Sequence, residues 1–435
     1  MPASPADSAL YRGLFSDEAT AALFTDSAEI RAMLIVEGAL ARVQGEMGLI
    51  PMEAAAFIDR SSREVMIDPA GLARETATNG VPVPALVSAF RKAMEAPDYA
   101  QYLHWGATSQ DIMDTALALR LRRLVQIWDE KLGALIAGLA ALAETHAETP
   151  MAARTYGQVA TPTSFGAVVA GWGRPMIRHR KRLADLAPEL ATVSLGGAAG
   201  TLSAMGPEGP AVRAALAKVL NLRDPEASWH AERDHIATFA GLMAGIATSL
   251  GKMGDDLILM TQSGISEVAI SGAGGSSTMP QKQNPVGPSV LVAIGRQAVA
   301  LNSAIQGAAI HRQQRDGAAW FIEWMNLGQL IQLTGRAIAL AVDLSSRITP
   351  RPDAMAANLD DGTGLIHAEA ASFALARHMP RPEAQAKVKA LCAEARIGQS
   401  LFDLIKRDFP ELALDVTASL GTAPAEARAF AKSAR

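Results

Sequence analysis

Residues 271–285 read Ser-Gly-Ala-Gly-Gly-Ser-Ser-Thr-Met-Pro-Gln-Lys-Gln-Asn-Pro and interrupt a chain that is otherwise patterned for helix. Gly272, Gly274 and Gly275 admit dihedrals that other residues avoid, which makes this segment a mobile or tightly turned loop. Two hydroxyls, Ser276 and Ser277, precede a Pro-bounded turn carrying one cation, Lys282, and one amide, Asn284. Backbone N–H groups in such a turn form an anion-binding concavity, and Lys282 adds a full positive charge. A Gly/Ser surface linker has a similar composition. Long apolar-periodic segments on both sides argue against a linker, because the loop then breaks a packed helical body instead of joining two domains.

Working outward, Met243, Ile246, Leu250, Met253, Leu257 and Met260 recur at steps of three and four before the loop, and Val290, Ile294, Leu301 and Ile305 after it. Residues 320–344 predict one more helix and 164–182 another. Upstream, Leu117, Leu121, Leu124, Trp128, Leu132, Leu135, Leu139 and Leu142 predict a helix of about nine turns. Thr108-Ser109-Gln110-Asp111 before it has the form of an N-cap with an acidic first turn. A helix from Asp26–Ser27 to about Gly48 follows an irregular start. Residues 50–100 predict short helices broken by prolines and Gly80. Residues 147–163 predict a loop, and the glycine cluster at 196–200 a non-helical crossing. No period-2 strand run and no repeat is visible. The expected fold is all-α: an N-terminal helical domain over 1–105, a central long-helix bundle over 106–348 and a C-terminal helical cap over 349–435.

Composition narrows the function. The formal charge of −4 with scattered Lys and Arg excludes a nucleic-acid footprint or a polybasic membrane patch. A single cysteine, Cys392, excludes an intramolecular disulfide and a Cys-rich zinc site, and suits a reducing cytoplasm. No signal peptide is visible, and apolar runs such as 132–143 are too short to span a bilayer. The expected setting is cytoplasmic, with no membrane and no nucleic acid.

Three loops concentrate reactive groups. The first, 104–111, places His104, Thr108 and Ser109 at a helix N-terminus, where free N–H groups favour a carboxylate. The second holds Arg154, Tyr156 and Gln158, with an arginine and an amide suited to a planar carboxylate. The third is 271–285. Taken alone, plain capping explains the first better than a ligand site does, and a surface arginine explains the second equally well.

The run Gly-Ser-Ser-Thr-Met-Pro-Gln-Lys-Gln-Asn-Pro at 275–285 resembles the signature of the fumarase/aspartase superfamily, and 104–115 and 154–166 resemble its other two signature regions. The resemblance covers most of the chain. It implies a homotetramer with a central twenty-helix bundle, active sites shared between subunits, and no metal or organic cofactor. By motif position it implies Ser276 as general base beside a carboxylate, with Lys282 and Asn284 stabilising the resulting enediolate. It implies His104 as a further catalytic or binding group, and Thr108, Ser109, Arg154, Tyr156, Gln158, Ser277 and Met279 as substrate contacts. His230, in Trp-His-Ala-Glu-Arg-Asp at 229–234, and Arg315 with the 320–324 aromatic run resemble a lactone-forming branch of the superfamily; a structural histidine is the other reading of His230.

Two departures select among members. In the superfamily's fumarase and adenylosuccinate lyase types the second motif reads Arg-Thr-His and a glutamate stands five positions after the loop asparagine; here those positions hold Tyr156 and Ser289. Protonating an amine or hydroxide leaving group is worth about 10²–10⁴ in rate. A carboxylate, with a conjugate-acid pKa of about 4, leaves with little help. The missing pair is one that a carboxylate-expelling reaction tolerates, and the resemblance then implies an intramolecular lyase, a cycloisomerase that adds a carboxylate of 3-carboxy-cis,cis-muconate across a double bond in protocatechuate degradation. Its substrate is a small tricarboxylate. The alternatives are an adenylosuccinate-type lyase and a non-catalytic helical scaffold. The other histidines, His146, His179, His235, His311, His367 and His378, are expected at the surface or in packing.

Overall fold

The computed structural model describes residues 4–272, 274–275, 278–279, 282–359, 361–412 and 420–434. Ser276 and Ser277 lie outside the described residues. Five long helices dominate: Ser109–Thr145, Phe165–Leu190, Asp234–Thr261, Val286–Ala308 and Gly317–Arg347. The first has 37 residues, about 55 Å at 1.5 Å per residue. An all-α architecture is what the three- and four-step apolar patterns specify, since each stripe buries one helix face.

Contacts divide the chain into two compact units, and the boundaries fall inside long helices. The first comprises Met1–Lys131, His179–Thr248 and Ile294–Ala339. Its core gathers Met33, Leu34, Leu40, Ile58, Leu86, Phe90, Ile112, Val193, Leu216 and Trp320. The Asp26–Glu46 helix is capped by the Thr25 hydroxyl, which accepts from Ala28 N–H at 3.1 Å. It lies close against Met52–Glu64: a Cβ on Gly38 would stand 2.1 Å from Ser62 Oγ, and one on Gly45 2.3 Å from Ala55 Cβ. Trp128 and Phe239 stack 5.9 Å apart in the same unit.

The second unit comprises Leu132–Arg178, Ser249–Ala293 and Leu340–Arg435. Its C-terminal helices enclose a small core of Ala371, Leu375, Val388, Leu391, Leu404 and Ile405, and a Ser400/Asp403 capping box starts one of them. Phe430 fills the space over Gly173, whose absent Cβ would stand 2.0 Å from the ring.

Four expectations need correction. The 147–163 segment is not a loop: Pro150–Thr155 and Gln158–Ser164 form an antiparallel hairpin. Tyr156 and Gly157, at φ 53° and 74°, make its two-residue turn, the left-handed pair that a tight hairpin requires. The helix expected over 164–182 runs on to Leu190. Beyond the glycine crossing stands an unexpected helix, Gly209–Leu220, opened by a proline in its first turn and stopped by left-handed Asn221. Finally, Asp234–Thr261 is long and apolar enough to cross a membrane by length and composition. Its Phe239, Met243, Ile246, Leu250, Met253 and Leu257 are all buried, which is the signature of a core helix.

Helix Phe165–Leu190 begins against the end of Ser109–Thr145: a Cβ on Gly166 would meet the Ala143 carbonyl oxygen at 2.5 Å and Ala147 Cα at 2.7 Å. Backbone cannot yield as a side-chain tip can. Gly166→Ala is expected to lower unfolding free energy by about 1–3 kcal/mol, read as a fall in urea midpoint at unchanged m-value.

Candidate active site

In the first unit one carboxylate organises the predicted site residues. Asp111 is fully buried, in the first turn of Ser109–Thr145. Its Oδ2 accepts the Thr108 N–H at 3.0 Å and the Gly197 N–H at 2.9 Å. Its Oδ1 accepts the Gly196 N–H at 2.7 Å and faces His230 Nε2 at 2.7 Å. The Thr108 bond is half of a capping box, as the sequence pattern predicts. The other three were not legible, because they join segments about 85 and 119 residues away. The carboxylate only accepts, so Nε2 carries the His230 proton. His230 is 3% exposed; Thr108 and Ser109 are half-buried at the helix start.

His104 precedes this helix in a left-handed conformation, φ 63°. Its Nδ1 lies 2.7 Å from Oε1 of Glu37, a buried residue on Asp26–Glu46. Burial opposes a charge on His104, but attraction and hydrogen bonding to Glu37 outweigh it and raise the pKa.

Beneath these groups lies a buried ion cluster that sequence reasoning missed. The Arg233 guanidinium bonds Asp114 at 2.8 and 3.2 Å and Glu323 at 3.0 Å, with a further short contact from Nη2 to Glu323 Oε1. Gln110 Nε2 donates to Asp114 at 3.1 Å and to the His230 carbonyl at 2.9 Å, while its Oε1 accepts from Arg315 at 2.8 Å. Arg233 also sits 4.9 Å over the Trp229 ring, and His235 packs edge-on against the same ring at 4.7 Å. Burial disfavours the Arg233 charge, and the two carboxylates outweigh burial and raise its pKa. A mid-helix Asp or Glu carries no sequence mark of such pairing, since its partner is a chance neighbour in sequence terms.

The remaining site residues belong to the second unit. Arg154 does not present a free guanidinium. It forms a two-point bond with Glu267, at 3.0 and 2.8 Å, and Glu267 also accepts from Asn358 at 3.1 Å. Glu267 is fully buried, so Arg154 first serves as its counter-charge. Tyr156 is fully exposed at the hairpin tip, and Gln158 is exposed beside it. Among the described residues of 271–285, Gly274 pairs with Asn284 and Gly275 with Gln283 in a short antiparallel ladder. Only Gly272 among its leading glycines is left-handed, φ 66°. Arg347 anchors the start through the Ser271 carbonyl at 2.7 Å. Lys282 N–H closes a turn on the Met279 carbonyl at 2.9 Å, and the Lys282 side chain and Met279 are exposed. Asn284 is half-buried. Ser289, where an acid would complete a proton-donating pair, turns its hydroxyl back onto the Pro285 carbonyl at 2.9 Å.

Residues 5–300 match the model of a family described as Lyase. A 3-carboxy-cis,cis-muconate cycloisomerase of Pseudomonas aeruginosa is 40% identical over 391 residues, 89% of this chain and 85% of that protein. The crystal structure of 3-carboxy-cis,cis-muconate lactonizing enzyme from Pseudomonas putida superposes with a TM-score of 0.93 at 34% identity, covering 98% of this chain and 99% of the other. A nitrosuccinate lyase of Streptomyces davaonensis is 35% identical over 431 residues, 96% of this chain and 90% of that protein.

Two outcomes follow from the buried charges. Arg233→Met strands Asp114 and Glu323 without a counter-charge and is expected to cost about 3–5 kcal/mol of stability, measured by chemical denaturation. His235 is held to a pKa of about 4, first by burial and then by the Arg233 charge. The folded value lies below the unfolded one, so its contribution is present above pH 6.5 and is lost as pH falls toward 4. His235→Gln is expected to flatten the stability-versus-pH curve across that window by about 1–3 kcal/mol.

Proposed function

The chain belongs to the fumarase/aspartase superfamily of lyases, and on that premise we propose that it closes 3-carboxy-cis,cis-muconate to 4-carboxymuconolactone in the cytoplasmic degradation of protocatechuate. A carboxylate oxygen of the substrate bonds to an alkene carbon. The alkene electrons move onto the neighbouring carbon and its carboxylate, giving an enediolate, and that carbon then takes a proton from the Ser276 hydroxyl. In reverse, Ser276 removes the proton and the ring carboxylate departs. A serine hydroxyl is too weak an acid to do this unaided; Lys282, loop N–H groups and exclusion of water would shift its balance. Lys282 and Asn284 would hold the enediolate oxygens.

The observation that carries the choice of reaction is the missing acid pair. Tyr156 stands exposed on a hairpin tip, and the Ser289 hydroxyl is spent on its own helix. A carboxylate leaving group needs neither residue. The names of the cycloisomerase relatives support the same reading. The absence equally suits another weakly basic leaving group, so a lyase acting on a substituted succinate, as one relative's name describes, is the second reading. An adenylosuccinate-type lyase is disfavoured because it lacks an acid for the amine.

For binding, His104, Lys282, the helix start at Thr108–Ser109 and the N–H groups that Glu267 leaves on Arg154 would meet three substrate carboxylates, with Tyr156, Gln158, Ser277, Met279 and His230 bordering them. We read the assembled protein as a homotetramer in which the 106–348 helices form the shared bundle, flanked by 1–105 and 349–435. An ultraviolet assay of purified protein with 3-carboxy-cis,cis-muconate, nitrosuccinate and adenylosuccinate tests the reading. Diene absorbance should fall with the first, and turnover of either of the others alone would overturn it. Ser276→Ala and Lys282→Met should each lower kcat by at least about 10²-fold while gel filtration stays unchanged.

A further inference from the structure

The Asp26–Glu46 helix grips the turn at 104–106 at two points. Glu37 and Gln44 are seven positions apart, two helical turns, and share a face. Glu37 Oε1 faces His104 Nδ1 at 2.7 Å, and Gln44 Nε2 donates to the Trp105 carbonyl at 2.7 Å. Glu37 is 1% exposed and Gln44 0%. The turn they hold places His104 at φ 63°, a conformation costly for a residue with a side chain, beside Gly106, which takes φ 74° freely. The second oxygen of Glu37, Oε2, is buried and has no hydrogen-bond partner among the described residues. Such a half-satisfied buried carboxylate is expensive and persists only against a counter-charge. His104 supplies it. The His104 side chain remains 20% exposed, and its Nε2 has no partner among the described residues.

We infer that Glu37 is a positioning residue: it fixes the His104 imidazole through Nδ1 and lends it a counter-charge, so that the Nε2–H is left to donate to a substrate carboxylate. This rests on the proposed tricarboxylate chemistry. Elsewhere around the ring, burial opposes the charge and so does Arg91, whose guanidinium is held by the carbonyls of Ala100 at 3.2 Å and Leu103 at 3.0 Å. Glu37 and, more weakly, Asp111 favour it, and they prevail. The His104 value is raised above its unfolded 6.5, so the charge and its stabilisation are present below that pH and are lost as pH rises through the folded value.

The test reads the imidazole directly. Histidine Cε1–H resonances are titrated in the wild type and in Glu37→Gln, with His104 assigned by its disappearance in His104→Gln. KM and kcat for 3-carboxy-cis,cis-muconate are measured across the same pH range. Wild-type His104 should titrate above 6.5, and in Glu37→Gln below it. KM at pH 7 should rise about tenfold in Glu37→Gln with kcat within about threefold. In a His104→Gln background the same change should leave KM unmoved, which a purely structural role for Glu37 would not predict. A His104 titration that Glu37→Gln leaves unaltered overturns the inference, as does an additive effect on KM in the double variant. If Glu37→Gln does not fold, a wild-type His104 value below 6.5 overturns it alone. If the wild type fails to turn over the muconate, the functional reading falls instead. The inference is then decided by whether 1,2,3-propanetricarboxylate shifts the His104 titration upward in the wild type but not in Glu37→Gln.

Discussion

The local order of the first unit depends on what Asp111 accepts. A carboxylate offers about four lone-pair positions, and Thr108, Gly196, Gly197 and His230 fill them. The groups come from a helix start, a glycine crossing and an isolated histidine, none of which has regular structure to hold it. A helix N-terminus leaves its first N–H groups without partners, and the glycine crossing has the same deficit. Using one acid for both removes two sets of orphan donors at once. It also explains why residues 196 and 197 are glycines: Gly197 is left-handed at φ 71°, and a Cβ on Gly196 would stand 2.7 Å from Ser228 Oγ.

Placing acids in the interior carries an electrostatic cost that the chain meets differently at each position. Asp114 and Glu323 share Arg233, whose flat guanidinium can serve two carboxylates and still lie on Trp229. Glu267 takes Arg154 in a two-point bond. Glu37 has only an imidazole, a weaker and titratable counter-charge. An arginine is not deprotonated within a protein, whereas an imidazole can give up its proton. A titratable partner is a poor choice for rigidity alone, and the His104 ring stands beside the helix start with an Nε2 that has no partner among the described residues.

Much of this architecture was legible in advance, and what was missed has a common cause. The Leu117–Leu142 stripe, the Thr108-to-Asp111 cap and the boundaries of Asp26–Glu46 follow from local rules, in which a residue and its partner lie within one or two turns. The hairpin at 150–164 escaped because Pro150, Gly157 and Pro162 read as breakers, although Tyr156-Gly157 is a turn and the prolines sit where a ladder tolerates them. The cluster around Arg233 escaped for a deeper reason: Asp114 to Arg233 spans 119 residues and Arg233 to Glu323 spans 90. No periodicity encodes such a pairing. Arg154 shows the converse. Its motif position marked it as a candidate for binding a substrate carboxylate, whereas the carboxylate it meets in this structure belongs to Glu267 of its own chain.

The position of Tyr156 bears on what kind of chemistry this framework permits. A two-residue turn with both centres left-handed prefers Asn, Asp or Gly, so a tyrosine there is held against its backbone preference at a cost of about 1–3 kcal/mol. Its ring, fully exposed on this chain, recovers nothing by packing within it. A tyrosine hydroxyl, with a pKa of about 10, is a poor donor to a departing group near neutral pH but a sound hydrogen-bond donor to a carboxylate that is already negative. On the proposed reading, a tyrosine in place of a proton donor, together with a Ser289 hydroxyl turned inward on Pro285, suits a site that would hold anions in place and leave their departure to their own acidity.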